Sequence, residues 1–171
     1  MQSSQFWSVN AQLIPATAAE ISKIRELAHS IWHEYYPSII GLDQVEYMLK
    51  KMYSEQAMAE QMQNGQQFYL LNANGLNTGF LAVSKEDEGR YFLNKFYILS
   101  NVRRTGLGKV AFTLLLEKYP DLCELRLQVN RQNVVAINFY FKAGFVIEKS
   151  ADFDIGDGYF MNDFIMYFTR K

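Results

Sequence analysis

Apolar residues recur along this chain at helical spacing in its first third and at strand spacing in most of the rest, and the alternation predicts its elements. Ile21, Ile24, Leu27 or Ala28, Ile31 and Tyr35 form a helical stripe, opened by the capping box Thr17-Ala-Ala-Glu20 and stopped by Pro37. Asp43 and Glu46 repeat the capping pattern and predict a second helix through Met52, while Ser54 caps a third to about Met62. Phe6 to Pro15 reads as a weakly patterned first strand. Residues Gln67–Asn72 and Thr78–Lys85 read as paired strands around the turn Asn72-Ala-Asn-Gly75. A polar loop, Glu86 to Arg90, leads into a central strand, and a helix from Gly106 to Tyr119 ends at Pro120. Then come a strand Leu122–Val129, a short helix between Asn133 and Gly144, and strands Phe145–Phe153 and Tyr159–Phe168. Early helices, a meander of strands and a strand–helix–strand unit predict an α/β (α+β) fold, a mixed sheet covered by helices. At 171 residues, with no linker, repeat or low-complexity tract, residues 1–171 make one domain.

The organising stretch runs from Tyr91 to Tyr119: a buried strand, a sharp turn, then an amphipathic helix. Its turn, Arg103-Arg104-Thr105-Gly106-Leu107-Gly108, fits R-x-x-G-x-G. Two glycines at a strand-to-helix junction let backbone N–H groups approach a ligand with no Cβ in the way. Those amides are the unpaired donors of the first helical turn, at the positive end of its dipole, so the junction suits a diphosphate. The same residues fit G-x-G-x-x-A through Gly106, Gly108 and Ala111, the fingerprint of dinucleotide binding. That reading needs an acidic residue at the far end of the second strand, and Glu124 precedes the run Leu125–Val129 instead.

A second stretch, from Leu127 to Phe145, fits L-x-V-x-x-x-N-x-x-A-x-x-F-Y-x-x-x-G-F. Together with the glycine turn, in this order and at this spacing, it resembles the GNAT family of acetyl-CoA-dependent N-acetyltransferases. The resemblance spans the chain and is sharpest from Leu93 to Phe145. It implies the GNAT fold, a mostly antiparallel central sheet flanked by helices in which Leu93–Leu99 and Leu122–Val129 run parallel and splay apart to admit the pantetheine arm. It also implies that the amides from Arg103 to Lys109 hold the diphosphate, through Arg103, Arg104, Thr105, Gly106, Leu107, Gly108 and Lys109, with the three basic residues adding charge. The backbone of Tyr97, Ile98 and Leu99 would pair with the pantetheine amides, one N–H stabilising the oxyanion. Asn133 matches the family asparagine that helps hold the arm, and serves equally as a helix N-cap. Tyr140 matches the general acid that protonates the departing thiolate, set against a plain packing role. The general base is not legible; Glu34, Tyr97 and Asp157 are candidates.

Composition narrows the partners. A net charge of −1 argues against non-specific nucleic-acid binding, and no apolar run reaches membrane-spanning length. The single Cys123 and the lack of a signal-peptide pattern at the N-terminus predict a cytoplasmic protein. His29 and His33 stand at i, i+4 without a further ligand pattern, and Asp152-x-Asp154-x-Gly-Asp157 lacks the downstream Glu of a calcium loop, so no metal is expected. Glu148, Asp152, Asp154, Asp157 and Asp163 against Lys149 alone give the segment Val146–Asp163 a negative excess that favours a cationic acceptor. The N-terminal half and Ile155–Met161 are similar to bacterial polyamine acetyltransferases of the PaiA type, which implies spermidine or spermine as the small-molecule amine. Another small amine, a protein N-terminus or lysine, and a non-catalytic CoA-binding module stay open. A homodimer is compatible with the sequence, which does not set the oligomeric state.

Overall fold

The computed structural model describes residues 10–171. The chain runs β1 (Ala11–Ala16), α1 (Ile21–Tyr35), α2 (Pro37–Ile40), α3 (Leu42–Tyr53), α4 (Glu55–Gln63), β2 (Gln67–Ala73), β3 (Leu76–Asp87), β4 (Arg90–Ile98), α5 (Leu107–Lys118), β5 (Glu124–Asn130), α6 (Val134–Ala143), β6 (Val146–Gly156) and β7 (Tyr159–Thr169). The strands form one sheet in the order β1-β2-β3-β4-β5-β7-β6. Every neighbouring pair is antiparallel except β4–β5. This is the mixed, mostly antiparallel sheet flanked by helices that the sequence implies, and it is a GNAT fold. Among the described residues, no helix is long and apolar enough to cross a membrane.

Two cores lie on opposite faces of the sheet. Phe68 and Leu70 of β2 and Phe80 and Ala82 of β3 pack under α1, α3 and α4. Their neighbours Tyr69, Leu71, Leu81 and Val83 pack under α5 and α6. Strands buried on both faces carry unbroken apolar runs, which is why β2 and β3 do not alternate in sequence.

Local chemistry sets the ends of the helices. The Thr17–Glu20 capping box forms as expected, closing a single 3₁₀ turn that leads into α1. The Ser54 hydroxyl accepts from the Ala57 N–H, and the Asn133 side chain from the Ala136 N–H. Gly144, at φ +99°, ends α6. Three expectations shift. Pro37 does stop α1, but it also occupies the first position of the short helix α2, where its missing N–H costs nothing. The second long helix starts at Leu42 behind Gly41, with no side-chain cap, so Asp43 sits in its first turn rather than at its boundary. The loop 86–90 shrinks to a tight turn at Glu88-Gly89, because β3 continues to Asp87 and β4 begins at Arg90. The expected first strand is present as β1 over Ala11–Ala16, and its residues 6–9 lie outside the described residues.

Candidate active site

The parallel pair at the centre of the sheet comes apart part-way along. β4 and β5 bond only over Arg90–Leu93 and Glu124–Leu127, yet β4 continues to Ile98 and β5 to Asn130. The cause lies in β4. Its register against β3 jumps from Ala82 opposite Lys95 to Val83 opposite Leu93, which leaves Asn94 as an extra residue. Tyr91 and Leu93 face the α5–α6 core before this bulge, and Phe96 and Ile98 face it afterwards. A bulge bends its strand and raises its twist, so β4 turns away from β5 where their ladder stops. A cavity of about 890 Å³ opens between them, reaching from the start of α5 to α3 on the other face.

Of the three residues at the end of β4 and just past it, Tyr97, Ile98 and Leu99, expected to offer backbone to this gap, the hydrogen bonds single out one. The Leu99 N–H donates to Thr78 O at 2.9 Å, so that amide already has an acceptor. Tyr97, two residues earlier and opposite Phe80, points its backbone groups the same way, toward β3. Alternation leaves Ile98 facing the cavity, where its carbonyl accepts from Arg103 Nε at 2.9 Å. Its N–H is left for a ligand. Arg103 therefore reaches back along β4, with its guanidinium 5.2 Å above the Tyr35 ring. Arg104 and Lys109 stay exposed at the mouth.

The start of α5 presents a run of donors. Among the described residues, no acceptor meets the backbone N–H groups from Arg104 to Lys109; the next one, of Val110, bonds to Gly106 O. Gly106 caps the helix at φ +85°, a conformation glycine adopts freely and side chains resist. The two glycines do different things. Space around Gly106 is open, whereas a Cβ on Gly108 would stand 3.1 Å from the Phe139 ring, so Gly108 lets α6 pack against α5. Thr105 donates to Val102 O, and the Leu107 side chain is buried in the core. Neither side chain lines the cavity.

Deeper in, Asn133 joins α6 to the N-terminal half. Its side-chain oxygen accepts from the Tyr35 hydroxyl at 3.0 Å as well as from Ala136, and its amide donates to the Tyr36 hydroxyl at 3.1 Å. The N-cap role is thus real and extends into a tyrosine cluster. Burial pushes the Tyr36 phenol up to about 12 and raises the Tyr97 phenol as well. Tyr140 is 7% exposed and lines the cavity, and its hydroxyl makes no hydrogen bond among the described residues. Burial first, and Tyr36 second, raise its pKa.

The acidic excess of Val146–Asp163 is mostly committed elsewhere. Asp152 pairs with Arg131 at 2.5 Å, Glu148 lies 3.4 Å from Arg126, and Asp154 accepts from the Gly156 N–H. Asp157 sits at φ +53° at the tip of the β6–β7 hairpin, outside the cavity lining. Glu34 accepts from Ser100 Oγ at 2.5 Å on the rim, with its side chain also outside the lining. Neither is brought to the cavity. Asp163 is, although its place in the acidic segment gave it no more weight than its neighbours. It is 6% exposed, lines the cavity, and has no hydrogen-bond or ion-pair partner among the described residues. Burial raises its pKa to about 6, against a lowering influence of Arg131. On β7 it shares a face with Met161 and Ile165, opposite to the face that buries Met166, and the sequence alone carries no signal that sets it apart from its acidic neighbours.

The hairpin carrying Asp163 is fastened to α3. Gln44 Nε2 donates to Phe160 O at 2.7 Å, Tyr47 OH to Ile155 O at 2.5 Å, and Lys51 to the same Ile155 oxygen. The Tyr47 and Tyr159 rings lie 4.9 Å apart. This contact closes the cavity on the side away from α5.

Lys95 was not foreseen either. It is buried in the cavity wall at 8% exposure, with Nζ bonded to Gln61 Oε1 (2.6 Å) and Gln66 Oε1 (3.3 Å) and set over the Tyr53 and Phe68 rings. No carboxylate is among these contacts, and burial lowers its pKa to about 8. A lysine with a folded pKa below its unfolded value of about 10.4 costs stability at and below pH 8, and the cost fades as pH rises past 10. Lys95→Met is therefore expected to raise stability by about 1–2 kcal/mol at pH 7, less than the full cost of the shift because both glutamines lose their donor. Urea midpoints at pH 7 and pH 10.5 check this, and the gain should appear only at the lower pH. Among the described residues, no group of three or more His, Cys, Asp or Glu side chains is placed to hold a metal ion. His33 instead bonds Glu46 at 2.5 Å, tying α1 to α3.

Comparison with known proteins bears on this geometry. The model of the acetyltransferase (GNAT) domain family matches residues 38–154, well over half of the chain. A spermidine N(1)-acetyltransferase of Thermoplasma acidophilum is 28% identical over 157 residues, 86% of this chain and 89% of that protein. Among solved structures, the PaiA N-acetyltransferase of Thermoplasma acidophilum, in complex with coenzyme A, superposes with a TM-score of 0.74 at 24% identity, over 94% of this chain and 99% of that one. A GCN5-related N-acetyltransferase from Rhodopseudomonas palustris gives 0.75 at 14% identity, over 93% and 95%. Arabidopsis thaliana Naa50, bound to a bisubstrate analogue, gives 0.68 at 17%, over 95% and 100%. With its splayed central strands, its crown of free amides and this family match, the chain belongs to the GNAT family of acetyltransferases.

Proposed function

We propose that this protein moves an acetyl group from acetyl-CoA to a primary amine of a small cationic acceptor, a polyamine such as spermidine or spermine. The observation that carries the reading is the break between β4 and β5, which opens onto unpaired strand backbone at Ile98 and onto the free amides of Arg104–Lys109. The residues fit the donor substrate. Consecutive N–H groups at a helix start suit a diphosphate, and Arg104 and Lys109 add charge beside them. The Ile98 N–H, facing the gap, is the donor for the oxygen that becomes negative as the amine attacks, an interaction typically worth about 10²–10³ in rate.

Tyr140 is the proton donor. Its raised pKa keeps the hydroxyl protonated throughout the physiological range, and among the described residues no acceptor competes for its hydrogen. Transfer to a thiolate, whose conjugate acid has a pKa of about 8.5 in cysteine, is uphill for such a phenol. The hydroxyl therefore begins as a hydrogen bond to the sulfur and passes its proton as the C–S bond breaks. Asn133 positions this end of α6 by holding Tyr35 and Tyr36.

The acceptor class rests on the spermidine acetyltransferase relative and on a cavity with one buried, unpaired carboxylate. Thiol release from acetyl-CoA tests it directly, against a panel of spermidine, spermine, free lysine and peptides with free N-termini. The polyamines should give the highest kcat/KM. Tight cofactor binding with no turnover on any amine would instead favour a coenzyme A-binding module on the same fold.

A further inference from the structure

We infer that Asp163 is the general base, the group that takes the proton from the acceptor ammonium before it attacks. This deepens the acetyl-transfer reading and rests on it. A primary alkylammonium has a pKa of about 10.4 and no lone pair, so an enzyme of this kind needs a proton acceptor inside the cavity. Among the described residues, Asp163 is the one carboxylate lining it. Glu34 and Asp157 lie outside, and Tyr97 brings a phenol whose pKa burial raises rather than a carboxylate.

The surroundings of Asp163 fit the role better than a structural one. A buried carboxylate that stabilised the fold would have donors around it, because an unpaired buried charge is costly. Asp163 has none within hydrogen-bonding distance among the described residues, and its oxygens keep contact with the open cavity. Every ionisable group that acts on it, from each element packed against it, is accounted for. Arg131, on the turn between β5 and α6, is already paired with Asp152 at 2.5 Å. Asp152, on β6, repels it. Tyr36, where α1 meets α2, is neutral and turned to Asn133. The carboxylate is thus left without a counter-ion of its own, facing a cavity into which a cationic substrate brings one.

Its strand position puts it at the open end of the central gap. Asp163 is opposite Asn130, the last residue of β5, at the wide end of the splay. Asp163, Tyr36 and Tyr140 all line the same cavity, so base and acid open onto one space.

The protons balance. The Asp163 carboxylate takes one proton from the ammonium, freeing the lone pair that forms the N–C bond. As the C–S bond breaks, Tyr140 gives its proton to the sulfur. The second nitrogen proton, acidic once the N–C bond has formed, restores the Tyr140 hydroxyl. The proton on Asp163 leaves to solvent, the one released by the overall reaction. Because the base must be ionised, activity falls as pH drops through about 6.

Asp163→Asn tests the assignment, since it keeps the shape and removes the charge. With spermidine at pH 7.5 it should lower kcat/KM by about 10²–10⁴, while acetyl-CoA affinity by calorimetry stays at the wild-type value. The acidic limb near pH 6 should disappear from the profile. A weakly basic acceptor such as trifluoroethylamine, largely neutral at this pH, needs little deprotonation, so the variant should lose less than tenfold with it. An equal loss with both amines, or a rise in KM at unchanged kcat, would make Asp163 a binding group and overturn the inference. So would an Asp163→Asn enzyme as fast as wild type. Those outcomes leave acetyl transfer standing, whereas a wild-type protein that acetylates no amine would overturn both.

Discussion

Tyr140→Phe is expected to lower kcat by about 10²–10⁴ and to leave acetyl-CoA affinity and thermal stability where they are. The substitution is unusually clean in this fold. The hydroxyl has no hydrogen-bond partner among the described residues, so its removal orphans nothing. The ring stays wedged between Phe139 and Phe145, whose centroids lie 5.4 and 5.3 Å away, and phenylalanine keeps both contacts. Steady-state rates with a saturating polyamine, with melting curves alongside, separate chemistry from packing. Equal rates would confine Tyr140 to packing and leave the thiolate to be protonated by solvent.

Gly79→Ala should have the largest effect on the fold. A Cβ there would stand 2.3 Å from the Tyr97 carbonyl oxygen and 3.1 Å from Ile98 Cα. Both are backbone atoms of β4, which a rotamer change cannot move aside, so β3 and β4 must separate. A loss of about 3 kcal/mol is expected, at the upper end of what overpacking costs. The strand pushed away carries the Ile98 N–H on the cavity wall, so acetyl-CoA affinity should fall with stability. Urea denaturation and calorimetry measure the two. A wild-type midpoint would mean that β4 has slack, and the wall argued above would not be fixed by its neighbours.

The features that sequence made legible are those written in short-range chemistry. Asn133 and Gly144 bracket α6, Ser54 caps α4, and the glycine turn opens α5, because a cap or a positive φ is decided within a few residues. The bulge at Asn94 was not legible. Nothing in Leu93-Asn94-Lys95 announces it, since it exists only as a mismatch of register with β3. The splay came from family resemblance for the same reason. Asp163 and Lys95 were missed because the depth of a charged residue on a strand depends on what packs over it. Asp163 shares its local sequence context with Asp152, Asp154 and Asp157, and only the fold shows that those three have other partners or other places. Gly108 lines the cavity as the glycine turn implies, and its closeness to the Phe139 ring, which sequence does not show, is a second reason for a glycine there.

The attachment of the β6–β7 hairpin to α3 bears on how such a protein changes its diet over evolutionary time. Gln44, Tyr47 and Lys51 all fasten onto main-chain oxygens, those of residues 155 and 160, rather than onto side chains. The fastening is therefore indifferent to what amino acids the hairpin carries. Inward-facing positions such as Met161 can be rewritten to admit a longer, shorter or differently charged amine while the wall they belong to stays anchored. Lineages that diverge in substrate are then expected to keep the three residues of α3 and to vary opposite them.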